Sequence, residues 1–161
     1  MSGVNGVNGV NAGIAPSAPR GVVQRVVSAA VPDLPTATWT NAWRVGQEVV
    51  VSGMTGHPAT RDAAALGQPL GAYTQTLLVL RKIEALVQAA GGHKHNIVKT
   101  VVYVTDIADK DEVGRARRDF FEGHYPCSTL VGVSALVFPE LKVEIDAWAR
   151  LDVDLREAQK L

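Results

Sequence analysis

The clearest pattern in the chain is the alternation of apolar and polar residues over residues 141–151. Val143, Ile145 and Ala147 are apolar, and Glu144 and Asp146 stand between them. Because successive side chains of a β-strand point to opposite faces of the sheet, this pattern predicts a strand with one apolar and one polar face. Candidate chemistry in this strand is therefore expected on the polar face.

Further strands are predicted from runs that are rich in β-branched and aromatic residues. These runs cover residues 22–27, 39–45, 48–52, 97–105 and 129–136. A tight turn at Gly46 is predicted to join the second and third strands into a hairpin. The Gly, Pro and Ala content of residues 53–71 predicts a loop.

Two amphipathic helices are also predicted. Over residues 73–90 apolar positions recur every three to four residues, and the glycine pair at 91 and 92 is expected to end this helix. The second helix begins at Asp109, where Glu112 three residues later completes a pattern like a capping box, and it ends near Gly123. The resulting order, β-β-β-α-β-α-β-β, predicts an α+β domain with both helices on one face of a mixed sheet. The other face then requires a cover.

Length and charge exclude several classes of protein. A chain of 161 residues fits a single domain, predicted to span residues 21–161. Sixteen basic and sixteen acidic residues give no net charge, so neither nucleic acid nor a membrane surface is expected as a partner. No segment is long and apolar enough to span a membrane. The single cysteine, Cys127, excludes an intrachain disulfide and favours a reducing compartment, so the expected location is the cytoplasm.

The first twenty residues differ from the rest in composition. Gly-Val-Asn occurs three times, followed by a stretch of Pro, Ala and Ser. Such a segment has too little apolar bulk to offset its ordering entropy. Residues 1–20 are therefore predicted to form a disordered tail, and docking on a neighbour is the alternative.

Several familiar catalytic and binding motifs are missing. No Ser-His-Asp constellation, phosphate loop or dinucleotide fingerprint is visible, and no cofactor is expected. His93 and His95 lack a third ligand at suitable spacing, so no metal site is expected. Cys127 lacks a His-Asn pattern that would activate it, which favours a buried packing role over a nucleophile. His124 is a candidate for ligand contact or acid/base chemistry, with capping of the preceding helix as the alternative.

Five segments, taken in order, resemble the RidA/YjgF family. They are VVVSGMTG at 49–56, ALVQAAGG at 85–92, IVKTVVYVTDI at 97–107, RRDFFEGHYP at 117–126 and VEIDAWA at 143–149. The resemblance extends over residues 36–151. It implies a chorismate-mutase-like fold and a homotrimer whose sheets pack into a central barrel, with sites in clefts between subunits. Such a trimer would supply the cover that the second sheet face requires.

The resemblance also implies roles for individual residues. Glu144 matches the glutamate that serves the hydrolytic water in deaminating members, which act on 2-imino or 2-enamino acids. Ser52 and Gly53 match the Ser-Gly at a strand end where backbone groups approach the ligand. Ser128 stands where those members carry an arginine for the ligand carboxylate, and Trp39 stands where many have a tyrosine.

The loss of that arginine affects the expected substrate. Ser128 and Thr129 can form hydrogen bonds but supply no fixed cation. Hydrogen bonds to charged groups contribute about 1.5–3 kcal/mol, against about 0.5–1.5 kcal/mol for neutral ones. Simple 2-imino acids are therefore expected to bind poorly unless another cation compensates. The candidates, each of which can equally be a surface charge, are Arg44, Arg117, Arg118 and Arg150.

The walls of the expected cleft are partly aromatic. Trp39 and Tyr125 favour a ligand larger or flatter than a short amino acid intermediate, and Cys127 and His124 are expected to line the same substrate-binding region. Glu144 lies on the same face of its strand as the apolar ring of Trp148, so its carboxylate is expected to have a raised proton affinity.

Two functions fit these residues. The first is an imine/enamine deaminase-like hydrolase in which Glu144 activates water, with a pathway-specific, aromatic-derived or dicarboxylic substrate. The alternative is a trimer of the same fold that binds a small metabolite without turnover. Without the resemblance, Glu144 and Asp146 would be the solvated face of an amphipathic strand. Ribonuclease activity, reported for some relatives, finds no support in the neutral charge or in a pair of acid/base histidines.

Overall fold

A computed structural model describes residues 21–161, and the predicted tail over residues 1–20 lies outside the described residues. The strands are β1 (Val23–Arg25), β2 (Ala42–Val45), β3 (Glu48–Thr55), β4 (Ile97–Val104), β5 (Cys127–Gly132) and β6 (Val143–Arg150). The helices are α1 (Ala59–Ala65), α2 (Ala72–Ala89) and α3 (Lys110–Phe121), and short 3₁₀ turns join some of these elements.

The strands form one mixed sheet in the order β1-β2-β3-β6-β4-β5. Only β4 and β5 pair in parallel, and α3 forms the crossover between them. The sheet and the two long helices confirm the predicted α+β class. The prediction for β5 was partly wrong, because this strand pairs only with β4 and their ladder ends where Val104 meets Gly132. The residues beyond that point, predicted as strand to 136, form a loop.

The loop predicted over residues 53–71 was also wrong in part. Strand β3 continues to Thr55, and the alanine-rich segment after Pro58 forms the short helix α1. Alanine has the highest helix propensity of the amino acids, and Thr60 on this helix is buried against the domain. Composition alone indicated a loop because the helix is only seven residues long.

The long helices lie close to their predicted bounds. Helix α2 ends before Gly91, whose φ of 96° is the left-handed conformation expected after a helix. The start of α3 differs from the prediction, because the side chain of Asp109 caps no backbone N–H. Its Oδ2 instead accepts a hydrogen bond from Nζ of Lys142 at 3.0 Å. At the other end, Glu122 adopts the left-handed conformation with φ 54°.

The core lies between the sheet and the two long helices. Apolar residues of β3, β4 and β6 pack there against α2, and those that are fully buried include Val49, Val79, Ile83, Leu86, Val102, Val143 and Ile145. The opposite face of the sheet, here called the outer face, is not covered by any element within residues 21–161. Its exposed apolar residues include Trp43, Val45 and Val131, which are 42%, 43% and 39% exposed.

The helices also bear on membrane association. Within the described part of the chain, none is long and apolar enough to cross a bilayer.

Candidate functional site

Two carboxylates lie side by side on the outer face, near the middle of the sheet. Glu144 and Asp146 belong to β6, which is flanked by β3 and β4. The residues that alternate with them, including Ile145, are fully buried in the core, so the strand must turn both carboxylates to the outer face. Glu144 is paired with Thr55 of β3 on one side and with Tyr103 of β4 on the other.

A β-bulge in β3 shapes the space beside these carboxylates. The register between β3 and β6 shifts between Val51 and Met54, so Ser52 and Gly53 share the place opposite Asp146. A Cβ at Gly53 would collide with Oε1 of Glu144 and would lie 3.2 Å from Oδ1 of Asp146. Glycine therefore lets the backbone of β3 lie this close to both carboxylates, and a side chain at this position would displace them.

The bulge is held in place by hydrogen bonds to the segment before β2. Oγ of Ser52 donates to the backbone oxygen of Thr40 at 2.6 Å, and its N–H donates to the backbone oxygen of Asn41 at 3.0 Å. Trp39, the next residue back along the chain, is 54% exposed. Ser52 thus fixes the backbone beside Gly53. Its hydroxyl proton is donated to Thr40.

The electrostatics of the site favour a proton on Glu144. Burial, followed by the negative charge of Asp146, raises the pKa of the Glu144 carboxyl above its usual value. Oη of Tyr103 donates a hydrogen bond to Oδ2 of Asp146 at 2.8 Å, and this bond, with burial, raises the pKa of Tyr103. A raised pKa makes the Glu144 carboxylate a stronger base, which suits a group that takes a proton and later returns it.

Tyr103 is a site residue that sequence reasoning missed. Its contact with Asp146 joins residues 43 positions apart. The available signal was that Tyr103 occupies an outward position in β4, between the buried Val102 and Val104. Without the register between β4 and β6, however, nothing in the sequence places this hydroxyl beside a particular carboxylate.

Ser128 lies on the other side of the sheet from Glu144 within one chain. It pairs with Thr100, which is buried on the helix side, and Oγ1 of Thr100 donates to Oγ of Ser128 at 3.1 Å. Its neighbour Thr129 points to the outer face, where its Oγ1 accepts a hydrogen bond from Nζ of Lys99 at 2.9 Å. The fold of one chain thus brings Gly53 and Glu144 together but separates Ser128 from them.

Cys127 and His124 lie in the segment that leads into and begins β5. Cys127 is exposed, so the expectation of a buried packing role was wrong. This edge strand has a neighbour on one side only, and nothing in the described chain covers its first residue. The His124 ring packs edge-on against His95, with ring centroids 5.5 Å apart.

That contact extends a histidine cluster, made up of His93, His95 and His124. The rings of His93 and His95 are 5.9 Å apart, and Nε2 of His93 lies 3.5 Å from Oδ2 of Asp154. Burial is the main cause that lowers the pKa of His95. Across residues 21–161, no group of three or more His, Cys, Asp or Glu side chains has the geometry to hold a metal ion.

The four arginines considered as replacement cations fall into two pairs. Arg44 donates to the backbone oxygens of Gly46 and Ala90, and Arg150 forms two hydrogen bonds with Asp152. Arg117 and Arg118 form no salt bridge or side-chain hydrogen bond with other residues of the described range. Nε of Arg117 is buried without a partner there.

Comparison with known proteins places the chain in a family. The family model described as Endoribonuclease L-PSP matches residues 30–151. The chain therefore belongs to this family, which is also known as the RidA/YjgF family.

Individual relatives agree with this assignment. A Pseudomonas aeruginosa protein of unknown function has a crystal structure that is similar with a TM-score of 0.85 and 60% identity, covering 86% of this chain and 99% of that one. The 2-iminobutanoate/2-iminopropanoate deaminase of Rattus norvegicus is 26% identical, over 80% of this chain and 90% of its own. The structure of E. coli TdcF with bound serine has a TM-score of 0.67 and 26% identity, covering 79% and 98% of the two chains.

Proposed function

We propose that the protein is an imine/enamine deaminase-like hydrolase whose water is activated by Glu144. The observation that carries this proposal is the half-buried Glu144 carboxyl, held against the backbone of Gly53 and next to Asp146, with a raised pKa. A relative named as an imine deaminase and another solved with bound serine support a small ligand that carries nitrogen and a carboxylate.

The chemistry needs one group that takes a proton and later returns it. With the substrate as its N-protonated iminium, ionised Glu144 removes a proton from water as the water oxygen attacks the C=N carbon, and the C=N electron pair moves to nitrogen to give a neutral amine. The protonated Glu144 then gives its proton to that amine, the C–N bond breaks, and the hydroxyl proton passes to the released ammonia as the new carbonyl forms, so nitrogen departs as ammonium. An enamine enters the same sequence once its carbon has been protonated to give the iminium. Water is consumed, and the products are a carbonyl compound and ammonium.

The geometry of one chain favours a site between subunits. Ser128 and Glu144 lie on opposite faces of the sheet, so they can contact one ligand only if Ser128 of one subunit approaches Glu144 of the next. The exposed apolar residues of the outer face, such as Trp43, supply a surface on which subunits can pack. A homotrimer with clefts between its subunits satisfies both requirements.

The substrate is expected to be an aromatic-derived or dicarboxylic imine rather than 2-aminoacrylate. Ser128 supplies no cation where a short imino acid would place its carboxylate. Ammonia release from imines generated in situ by an amino acid oxidase tests the proposal, with Glu144→Gln as the inactive control. Binding of the substrate's 2-oxo acid without any turnover by the wild type would instead support a metabolite-binding trimer.

A further inference from the structure

A substrate with a carboxylate requires a cation to bind it. The structure limits which cationic side chains are available for this contact. Arg44 and Arg150 are committed to partners within the chain. Lys99, the cation beside β5 on the outer face, donates to Thr129. Arg117 and Arg118 of α3 are the arginines considered above that have no partner within residues 21–161.

The packing of α3 directs Arg117 away from α2. Oη of Tyr73 on α2 donates to Oδ2 of Asp119 at 2.8 Å, and the Arg115 guanidinium lies 4.2 Å from the centre of the Tyr73 ring. Asp119 and Arg115 therefore mark the flank of α3 that faces α2. At ~100° per residue, Arg117 lies about 160° around the helix axis from Asp119, on the opposite flank. Arg117 therefore lies on the side of α3 away from α2, and α3 is followed by the segment that leads into β5.

The surroundings of Arg117 indicate a cation that lacks its anion. The side chain is half-buried, its Nε is buried without a hydrogen-bond acceptor, and burial lowers its pKa. The charge of Tyr125, which stands three residues before Ser128, acts in the opposite direction on the pKa of Arg117. A partly buried guanidinium whose Nε has no acceptor is unfavourable unless an anion completes it.

Arg118 extends over the same flank. One terminal nitrogen of its guanidinium lies 3.8 Å from the place where a Cβ of Gly114 would be. Gly114 is on the side of α3 away from Asp119 and lies one turn before Arg118. The guanidinium of the exposed Arg118 therefore lies on the same side of α3 as Arg117.

We propose that Arg117, with Arg118 beside it, binds the carboxylate of the substrate and takes over the function of a cation at Ser128. This inference rests on the proposed function, which it deepens by naming the residues that recognise the acid group. Since the cation extends from a helix rather than from β5 itself, the carboxylate is displaced from the strand. The site then suits imino acids with a bulky or acidic side chain better than 2-aminoacrylate.

The test compares binding of two ligands that differ only in the carboxylate. The probes are phenylpyruvate, the 2-oxo acid product of an aromatic imino acid, and phenylacetone, which lacks the acid group. Binding to the full-length protein is measured by calorimetry for the wild type, Arg117→Met and Arg117→Lys. Methionine retains the packing of the aliphatic stem without the charge. Arg115→Met is the matched control, because Arg115 is on the same helix but faces α2.

The expected result is specific to the carboxylate. Arg117→Met weakens phenylpyruvate binding about 10-fold or more and leaves phenylacetone within about twofold, while Arg115→Met changes neither. Arg117→Lys keeps a charge but loses the bidentate geometry, so it weakens phenylpyruvate binding to a smaller extent. If the methionine variant fails to fold, the lysine variant provides the test, and weaker binding of phenylpyruvate with unchanged binding of phenylacetone supports the inference.

Other outcomes overturn the inference. Equal weakening of both ligands by Arg117→Met, or wild-type binding of phenylpyruvate to this variant, removes Arg117 from carboxylate recognition. If Arg117→Met is monomeric where the wild type is oligomeric, a neighbouring subunit supplies the anion that pairs with Arg117. The wild type could also bind phenylpyruvate through Arg117 and yet hydrolyse no imine. That result would overturn the proposed function but would support Arg117 as the carboxylate-binding residue.

Discussion

Gly53 lies directly against the Glu144 carboxylate, so close that a Cβ at this glycine would overlap Oε1. The bulge in β3 creates this contact, and Ser52 secures it by its bond to Thr40. The backbone therefore fixes the position of the carboxyl that the proposed reaction uses. A change at Gly53 should therefore act on catalysis by displacing the carboxylates of Glu144 and Asp146.

The Gly53→Ala variant tests that relationship. The added methyl group displaces Glu144, and we expect kcat/KM to fall about 10-fold or more while the protein stays folded, since the φ of Gly53 is not in the left-handed region. Gly71→Ala is the matched control, because a Cβ at Gly71 meets nothing within 4 Å. Kinetics and thermal unfolding of both variants provide the measurement. Full activity in Gly53→Ala would show that Glu144 does not need its observed position.

Asp146 should control the pH at which Glu144 works. Its negative charge contributes to the raised pKa of Glu144, so replacing it by the neutral asparagine should lower that pKa. As Glu144 must be ionised to accept a proton from water, the acidic limb of the pH profile of kcat/KM should move to lower pH in Asp146→Asn. The amide oxygen of asparagine still accepts the bond from Tyr103. An unchanged limb, or one shifted to higher pH, would contradict this coupling.

The proposed packing of subunits through the outer face predicts a trimer in solution. Sedimentation should give about three times the chain mass of 17.1 kDa. Trp43→Glu places a charge on the exposed apolar part of the outer face and should shift the protein towards monomer. Leu66→Glu is the control, because Leu66 is 78% exposed on the segment after α1, away from the sheet. A stable wild-type monomer would exclude a site shared between subunits.

Substrate selectivity should reflect the serine at position 128. We expect little hydrolysis of 2-aminoacrylate and of imines from small aliphatic amino acids, and at least about 10-fold higher kcat/KM for imines from phenylalanine or glutamate. An amino acid oxidase supplies each imine in the same assay. A preference for 2-aminoacrylate would mean that a cation reaches the short ligand directly.

The sequence predicted the elements whose pattern is local. Alternation in β6 placed Glu144 on the face opposite Ile145, and periodicity placed each end of α2 within one residue of its observed position. Prediction from the sequence failed where an element is short or where a side chain has two competing partners. Helix α1 is an example of the first case, and Asp109, which bonds Lys142 instead of capping α3, is an example of the second.

The candidate site was predicted less completely than the fold. Family resemblance singled out Gly53 and Glu144, which the structure brings together. The separation of Ser128 onto the helix side, and the bond from Tyr103 to Asp146, depend on the register between distant strands. No spacing along the chain encodes that register, and so these relationships required the folded sheet. The catalytic role of Glu144 stays a prediction.

Turnover by Glu144→Gln tests the central claim most directly. Glutamine retains the size and hydrogen-bonding capacity of glutamate but cannot take the proton from water. With the imine of phenylalanine as substrate, we predict a fall in kcat of roughly 100-fold or more, with phenylpyruvate binding and the oligomer unchanged. A variant that hydrolyses the imine at the wild-type rate would contradict the assignment of Glu144 as the proton acceptor.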